Sequence, residues 1–377
     1  MSGIARTRRT MERQVKRRPP VKQDEILADL RARILRGSLK PGDQLPTHLE
    51  IARRFKTTGV TAQRACERLI DEGFVAVRAR QGTFVVDRPP HLHRFVLAFP
   101  QDRSQPWVRF WTVLESAARA LTDAGTHWID IRIAVDRQRT GGDYERLAEE
   151  VLIGNLAGIL FVTNPFLVEG TPLLTTPGLP RLALMSPPGP PGVTAVEFSA
   201  RNFLERAIDR LVARGRRRIA FLMVPGFVAD LPGTLRNALA ARGLAYRPPW
   251  TQISLPTLGE WTGHLTQLLV SAPPADRPDG LVIVDDNLVE NACAGLLQAG
   301  LRLPDDLDVV AHCNFPAPTA SALPVARLGY DIPRILQASL DLMTRQRKGE
   351  STPECLTIHP QFEWEVAHGK AAPALSA

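Results

Sequence analysis

Apolar and polar positions alternate in two different rhythms along this chain. Within residues 21–36, Ile26, Leu27, Leu30, Ile34 and Leu35 recur at helical spacing and leave Arg31 and Arg33 on another face, which predicts a first amphipathic helix. Pro41-Gly42-Asp43 signals a turn. Thr47, with Glu50 three residues later and Ile51-Ala52 after it, is a capping-box pattern that opens a short second helix. Thr58 can cap a third, in which Ala62, Ala65, Cys66, Leu69 and Ile70 share one face while Gln63, Arg64, Glu67 and Arg68 take the other. Gly73 stops that helix, and residues 74–77 and 83–86 read as strands around the basic tip Arg78-Ala79-Arg80-Gln81-Gly82. Short helices at a tight turn, then a hairpin with a cationic tip, make a winged helix-turn-helix over 21–87.

After a linker expected at 88–93, around Pro89-Pro90, the rhythm changes. Strands are predicted at 95–99, 128–135, 157–162, 181–185, 218–224, 280–284 and 308–312. Helices are predicted at 107–124, 144–153, 199–213, 234–242, 260–270 and 289–299. Such alternation means parallel sheets with helices on both faces, and the stretch 94–366 is too long for one compact open sheet, so two lobes are expected. The fold class is therefore α/β, a winged helix-turn-helix domain plus a two-lobed body, with 367–377 as a C-terminal tail.

Charge divides the chain along the same boundary. Residues 1–90 hold 20 Lys/Arg against 10 Asp/Glu, whereas residues 91–377 hold 27 against 29, so the net charge of +8 rests entirely on the N-terminal part. Such an excess suits a phosphate-backbone partner. Residues 1–20, with seven basic side chains from Arg6 to Arg18 against Glu12, read as a disordered arm, either adding phosphate or minor-groove contacts or forming a solvated tail. Cys66, Cys293, Cys313 and Cys355 include no C-x-x-C pair, which points to free thiols in a reducing cytoplasm and to neither a disulfide framework nor a zinc site. No apolar run reaches membrane-spanning length and the N-terminus lacks a signal-peptide core, so a cytoplasmic protein with no membrane partner is expected.

Over residues 22–87 the chain resembles the GntR family of bacterial transcription regulators, through Pro41-Gly42-Asp43-Gln44-Leu45-Pro46, the run 61–69, Glu72-Gly73-Phe74 and Gly82-Thr83-Phe84-Val85. Thr47-His48-Leu49 stands where that family usually has Ser-Glu-Arg, Thr58-Gly59 where it has Ser-Arg, and Gln63 where it has Arg, so the resemblance carries the fold and not the base-reading code. Three later segments are similar to the effector domain of the LacI family, itself similar to periplasmic sugar-binding proteins. They are Arg214-Gly215-Arg216 leading to Phe221, Pro278-Asp279-Gly280-Leu281 running into Asp285-Asp286-Asn287, and Ala299-Gly300-Leu301 leading through Pro304-Asp305-Asp306 to Val310. This second resemblance implies a periplasmic-binding-protein-like domain over 94–366, with two lobes joined by crossing strands, a ligand in the cleft and a dimer face on the lobes.

Candidate contacts follow. In the head these are Thr47, His48, Thr58, Gly59, Val60, Gln63, Arg64, Arg78, Arg80, Gln81 and Gly82. Arg78 and Arg80 suit phosphate or the minor groove, Gln63 suits adenine, Val60 a thymine methyl, and Thr47 with His48 the DNA backbone. In open α/β sheets ligands gather beyond the carboxyl ends of strands, which nominates Asp102, Arg103, Trp107, Asn164, Asp285, Asp286, His312 and Asn314. Carboxylates and amides suit sugar hydroxyls, and an aromatic ring suits the apolar face of a sugar. Asp286 falls where the LacI family places a ligand-binding Asp; the alternative is a helix N-cap. Trp107 is either a stacking platform or core, and His312-Cys313-Asn314 either lines the ligand or packs a strand end. The sugar-binding Arg that the family tends to carry before the helix at 234–242 has no counterpart in 228–233, which keeps a non-sugar effector open.

No catalytic residue, cofactor or metal site is expected. The body has no lysine between Lys56 and Lys348 to form a Schiff base, no G-x-S-x-G elbow and no P-loop. The expectation is a repressor that binds a two-fold DNA operator as a homodimer and answers to a small, sugar-like effector. Its alternatives are a DNA-binding protein with a non-sugar or degenerate cleft, and an enzyme domain on a DNA-binding head.

Overall fold

The computed structural model describes residues 22–104 and 107–367; the arm expected at 1–20 and residues 368–377 of the expected tail lie outside the described residues. The chain divides between Pro89 and Pro90 into two units.

The first unit holds helices α1 (Lys22–Leu35), α2 (His48–Phe55) and α3 (Gly59–Asp71), then strands β1 (Val75–Arg78) and β2 (Gly82–Val85). Both halves of the capping box form: the Thr47 hydroxyl accepts from the Glu50 N–H at 3.3 Å, and the Glu50 carboxylate accepts from the Thr47 N–H at 2.7 Å. Thr58 caps α3 by accepting from the Thr61 N–H at 3.3 Å. Between the two helices Lys56 turns the chain with a φ of 51°. One core joins the helices to the hairpin, with Ile26, Leu30, Ile51, Ala62, Leu69, Phe74 and Val85 all buried. Burying each large side chain of this set stabilises the unit by about 1.5–3 kcal/mol. Arg31 binds Glu72 through two nitrogens, at 2.6 and 3.2 Å, and ties α1 to the end of α3. The hairpin is antiparallel, from Val75 opposite Val85 to Arg78 opposite Gly82.

The second unit begins earlier than the expected linker allows. Pro90–His93 forms a helical turn, α4, with Pro90 and His91 buried, since a proline at a helix start is already set in helical φ. The first lobe then runs β3 (Arg94–Ala98), α5 (Arg109–Asp123), β4 (Trp128–Arg132), α6 (Tyr144–Ile153), β5 (Gly158–Phe161), α7 (Pro172–Thr175), β6 (Arg181–Leu184) and β7 (Thr194–Phe198). The second lobe runs α8 (Ala200–Ala213), β8 (Ile219–Met223), α9 (Leu231–Ala240), β9 (Thr251–Ile253), α10 (Gly259–Val270), β10 (Gly280–Ile283), α11 (Asp286–Gln298), β11 (Asp308–Phe315) and β12 (Ala326–Asp331). The chain returns to the first lobe for α12 (Ile332–Arg347) and β13 (Cys355–Ile358), and ends in the second with β14 (Gln361–Phe362) and α13 (Glu363–Ala367).

Each lobe is built on a 6-stranded sheet, in the order β13-β7-β6-β5-β3-β4 and β14-β12-β11-β10-β8-β9. Neighbours pair in parallel throughout, except β12 with β14. All five residues of β3 and all five of β8 are buried, as strands covered on both faces require. At the edge of the first sheet Arg94 binds Asp130 at 2.5 Å and Glu150 at 2.9 Å, while Arg132 binds Glu150 at 2.9 Å, a buried cluster of compensated charges.

Strands β7, β9, β12, β13 and β14 and helix α12 lie outside the expected elements. Helix α12 follows β12 without a loop, its start marked only by the cap Asp331, which accepts from the Arg334 N–H at 3.2 Å, and by Pro333 in the first turn. The helix expected from 289 starts at Asp286, and the strand expected to end at 312 continues to Phe315. No helix among the described residues is long and apolar enough to cross a membrane.

Candidate functional site

The head exposes one face of α3 and the tip of its hairpin. Val60, Gln63 and Arg64 are exposed, and Arg64 forms no hydrogen bond or ion pair among the described residues. Gln63 is already engaged, donating to Glu67 at 2.9 Å one helical turn on. Thr58 is occupied as the cap, with its hydroxyl 3.0 Å from that of Thr61. At the tip Arg80 takes a φ of 62°. Gly82 has a φ of 120°, a left-handed backbone that favours glycine. Gln44 donates to the Gln81 carbonyl at 2.7 Å and braces the tip against the turn before α2. Arg78 lies over the Phe84 ring, 4.6 Å from its centroid, which fixes the guanidinium beside the hairpin. Thr47 and His48 start α2, the Thr47 oxygen being used in the capping box.

In the body the site forms where β10, β11 and β12 end side by side, next to the change of direction between β8 and β10. After β10 the chain passes Val284 and turns into α11. Asp285, not Asp286, is the helix cap: its carboxylate accepts from the Asn287 N–H at 2.8 Å. Asp286 is thereby released from that duty and points into the fold, 2% exposed. Its Oδ2 accepts from Asn314 Nδ2 at 2.8 Å, and its Oδ1 lies 3.9 Å from His312 Nδ1. Burial pushes its carboxyl pKa up; Asp285 adds to that, while His312, Asn314 and Arg109 oppose it.

The other lip of this cleft is the first turn of α5. The Arg109 backbone N–H donates to Asn287 Oδ1 at 3.0 Å, and Arg109 Nε lies 3.7 Å from Asp286 Oδ2. Arg109 Nε and His312 Nδ1 are both buried and have no hydrogen-bond partner among the described residues. Between the lips is a cavity of about 280 Å³ lined by Asp285, Asp286, Asn287, His312, Asn314 and Tyr330, with Val108, Phe110, Ala200, Phe198, Phe227 and Val284 as its apolar wall. Phe198 meets Phe110 at 5.4 Å and Tyr330 at 4.8 Å between ring centroids, so the rings brace one another.

Asp285, Asp286, His312 and Asn314 are thus brought together, and the other ligand candidates are not among the cavity's lining. Asp102 accepts from the Ser104 N–H at 2.9 Å and pairs with Arg139. Arg103 pairs with Glu115 and lies 4.5 Å over the Trp107 ring. Trp107 is stacked on Phe99 at 4.3 Å and donates to the Asp102 carbonyl at 2.7 Å, which is packing, and it borders a separate apolar groove along α5. Asn164 follows β5 without lining the cavity. The sequence reading misses Arg109, Phe110, Phe198 and Phe227. Phe198 ends a strand whose pattern is unmarked, while Arg109 was open to detection as a charge in the first turn of an apolar helix.

Comparison with known proteins finds a separate match in each of the two units. Residues 22–85 match the family of bacterial regulatory proteins described as gntR, and residues 208–364 match the periplasmic binding protein-like domain. An arabinose metabolism transcriptional repressor of Geobacillus stearothermophilus is 25% identical over 309 residues, covering 76% of this chain and 80% of that protein. Among solved structures, a LacI-family regulatory protein from Chloroflexus aggregans aligns with a TM-score of 0.57 at 18% identity, over 71% of this chain and 96% of that one. A LacI-family regulator from Arthrobacter sp. FB24, solved in complex with lactose, aligns with a TM-score of 0.56 at 16% identity, over 72% of this chain and 97% of that one. At such identities the two structures share the fold.

Proposed function

From a chain that joins a GntR-family helix-turn-helix head to a periplasmic-binding-protein-like body, we propose a transcription repressor whose affinity for its DNA operator is set by a small sugar-like molecule in the cleft. The observation that carries this reading is the cleft itself. A carboxylate 2% exposed, with an arginine and a histidine nitrogen left without partners beside it, is costly to maintain unless a polar ligand completes it. The repressor of Geobacillus stearothermophilus, similar over most of both chains, supports the same reading. A catalytic role finds no support in these relatives, which are regulators.

On the DNA side Arg64, Val60 and Gln63 meet base edges from α3, while Arg80, Gln81 and Gly82 approach the backbone or minor groove from the wing. Ligand in the cleft favours one lobe closure over another, and the heads of a dimer then match two half-sites better or worse. Self-association as a homodimer is supported by an exposed apolar strip on the second lobe. Leu258, Trp261 and Leu268 of the α10 region are 46%, 58% and 64% exposed, beside Ile253 and Leu255 at the sheet edge. A cytoplasmic setting follows from the DNA partner.

The test is binding of the full chain to DNA sites selected from random fragments, with and without a sugar that raises its melting temperature. We expect a selected two-fold site whose affinity changes at least about tenfold with the sugar, a coupling of about 1.4 kcal/mol. Equal affinity for selected and random DNA in both conditions would sink the proposal.

A further inference from the structure

We infer that the cleft selects an effector carrying a cationic amino group, a compound of the amino-sugar class, held between Asp286 and a wall of aromatic rings. This rests on the reading of the cleft as the effector site and adds to it the sign of the ligand's charge.

The charge of the wall is the first observation. Asp285 and Asp286 both line the cavity, and no lysine or arginine is among its lining residues. Arg109 approaches Asp286 from outside that lining and borders the separate groove along α5. Its Nε stays 3.7 Å from Asp286 Oδ2, too long for a hydrogen bond, and its side chain is 41% exposed, so water screens much of its charge. The remaining base is His312, whose Nδ1 lies 3.9 Å from Asp286 Oδ1.

The unfilled acceptors of Asp286 are the second. A carboxylate offers about four acceptor positions. Asp286, 2% exposed, accepts from Asn314 Nδ2 at 2.8 Å and only at 3.5 Å from Asn287 Nδ2. Burial, helped by Asp285, pushes its pKa up in spite of His312, Asn314 and Arg109. An ammonium set against Asp286 supplies both the missing donors and the missing charge, whereas a hydroxyl supplies one donor and no charge. A carboxylate or phosphate would add a further anion to the same wall.

The aromatic rings are the third. Phe110 and Phe198 from the first lobe, with Phe227 and Tyr330 from the second, line the cavity that holds the two carboxylates. Phe110 and Phe198 stand at 83° to each other, and Phe198 and Tyr330 at 59°. Rings set at such angles around a cation attract it through their negative faces and offer nothing comparable to an anion. Burial, then Glu197, push the Tyr330 pKa up, so that ring stays neutral and a third carboxylate stands nearby. Asn314 and His312 line the same cavity and suit the hydroxyls that accompany the amine.

The experiment is calorimetric titration of the full chain with hexosamines, their parent hexoses, their N-acetyl derivatives and uronic acids, at a pH where the amine is protonated. The N-acetyl group keeps the ring and removes the charge. We expect a hexosamine to bind at least about tenfold tighter than its parent hexose, its N-acetyl derivative and the corresponding acid. Asp286→Asn should bring hexosamine and hexose to within about threefold of each other, and Phe198→Leu should weaken the hexosamine more than the hexose. A hexose, N-acetylhexosamine or uronic acid that binds as tightly as the hexosamine overturns the inference while leaving a ligand-responsive cleft. An unchanged preference for the amine in folded Asp286→Asn also overturns it, since the charge is then read elsewhere. If nothing in the panel binds the folded chain, the effector reading of the cleft falls with it. The wild-type panel decides the charge class whether or not the variants fold.

Discussion

Asp286 is a buried carboxylate kept at a cost in stability, as the binding role proposed for it would require. Its pKa is raised by burial, so the folded state favours the protonated form: stability from this group is present below the ordinary carboxylate value and is lost as pH rises through the folded one. Ionising the group therefore costs the unliganded fold stability. Asp286→Asn, which can still accept from Asn314, is expected to raise the melting temperature of the unliganded chain and to remove the rise given by ligand. Melting curves with and without sugar check this; a lower unliganded midpoint would mean that the carboxylate holds the fold together. His91 is the opposite case. Burial, then Arg347 and His93, lower its pKa from 6.5 to about 4, so the unfolded chain takes up a proton that the folded chain refuses. Stability is full above pH 6.5 and falls as pH drops towards 4, by at most about 1.4 kcal/mol per pH unit. His91→Gln should flatten that part of a urea-unfolding profile measured from pH 7 to 4. That the adjacent pair Asp285-Asp286 would line a cavity was legible because it follows an apolar strand and precedes a helix. Which Asp caps the helix and which points into the cavity was not, because that depends on φ and ψ at one residue.

Elements were legible where punctuation marks them. Thr47 with Glu50, Thr58, and Gly73, Gly125 and Gly300 bracket helices in the sequence and do so in the fold, the three glycines taking φ values of 77°, 68° and 71°. Where a strand passes straight into a helix, as from β12 to α12, no loop separates the two, and only the cap Asp331 and Pro333 in the first turn mark the change. The contact between α10 and α11 was equally silent. Gly263 and Gly295 let the two helices approach so closely that a Cβ at Gly295 would stand 2.4 Å from the Gly263 carbonyl oxygen. Gly295→Ala gains about 1 kcal/mol of helix propensity and loses about 1–3 kcal/mol to overpacking, so a net loss of stability is expected. Chemical denaturation measures it, and a stabilised variant would show that the helices part without cost.

At the scale of the molecule, the basic head and the near-neutral body divide the labour between phosphate contact and small-molecule recognition. The exposed strip on α10 is where we expect two copies to meet. Trp261→Glu puts a charge at its middle and should convert dimers to monomers in sedimentation, with weaker binding to a two-fold site and little change to a half-site. A variant that stays dimeric would place self-association elsewhere.

The sequence by itself determined the number and kind of elements in the head, the α/β rhythm of the body, the division of charge between them, and the strand end on which Asp285 and Asp286 sit. Each of these rests on local rules of spacing, capping and charge that act within a few residues. Tertiary structure alone decided that Arg109 and Phe198 of the first lobe face Asp286 across the cleft, and that Trp107 packs on Phe99 away from the cavity. It likewise buried Arg94, Arg132 and Glu150, which in the sequence look like surface charges. The Arg109–Asp286 approach depends on the chain crossing between lobes, and the others on how helices and strands of the first lobe pack together, and neither leaves a period for a sequence to display.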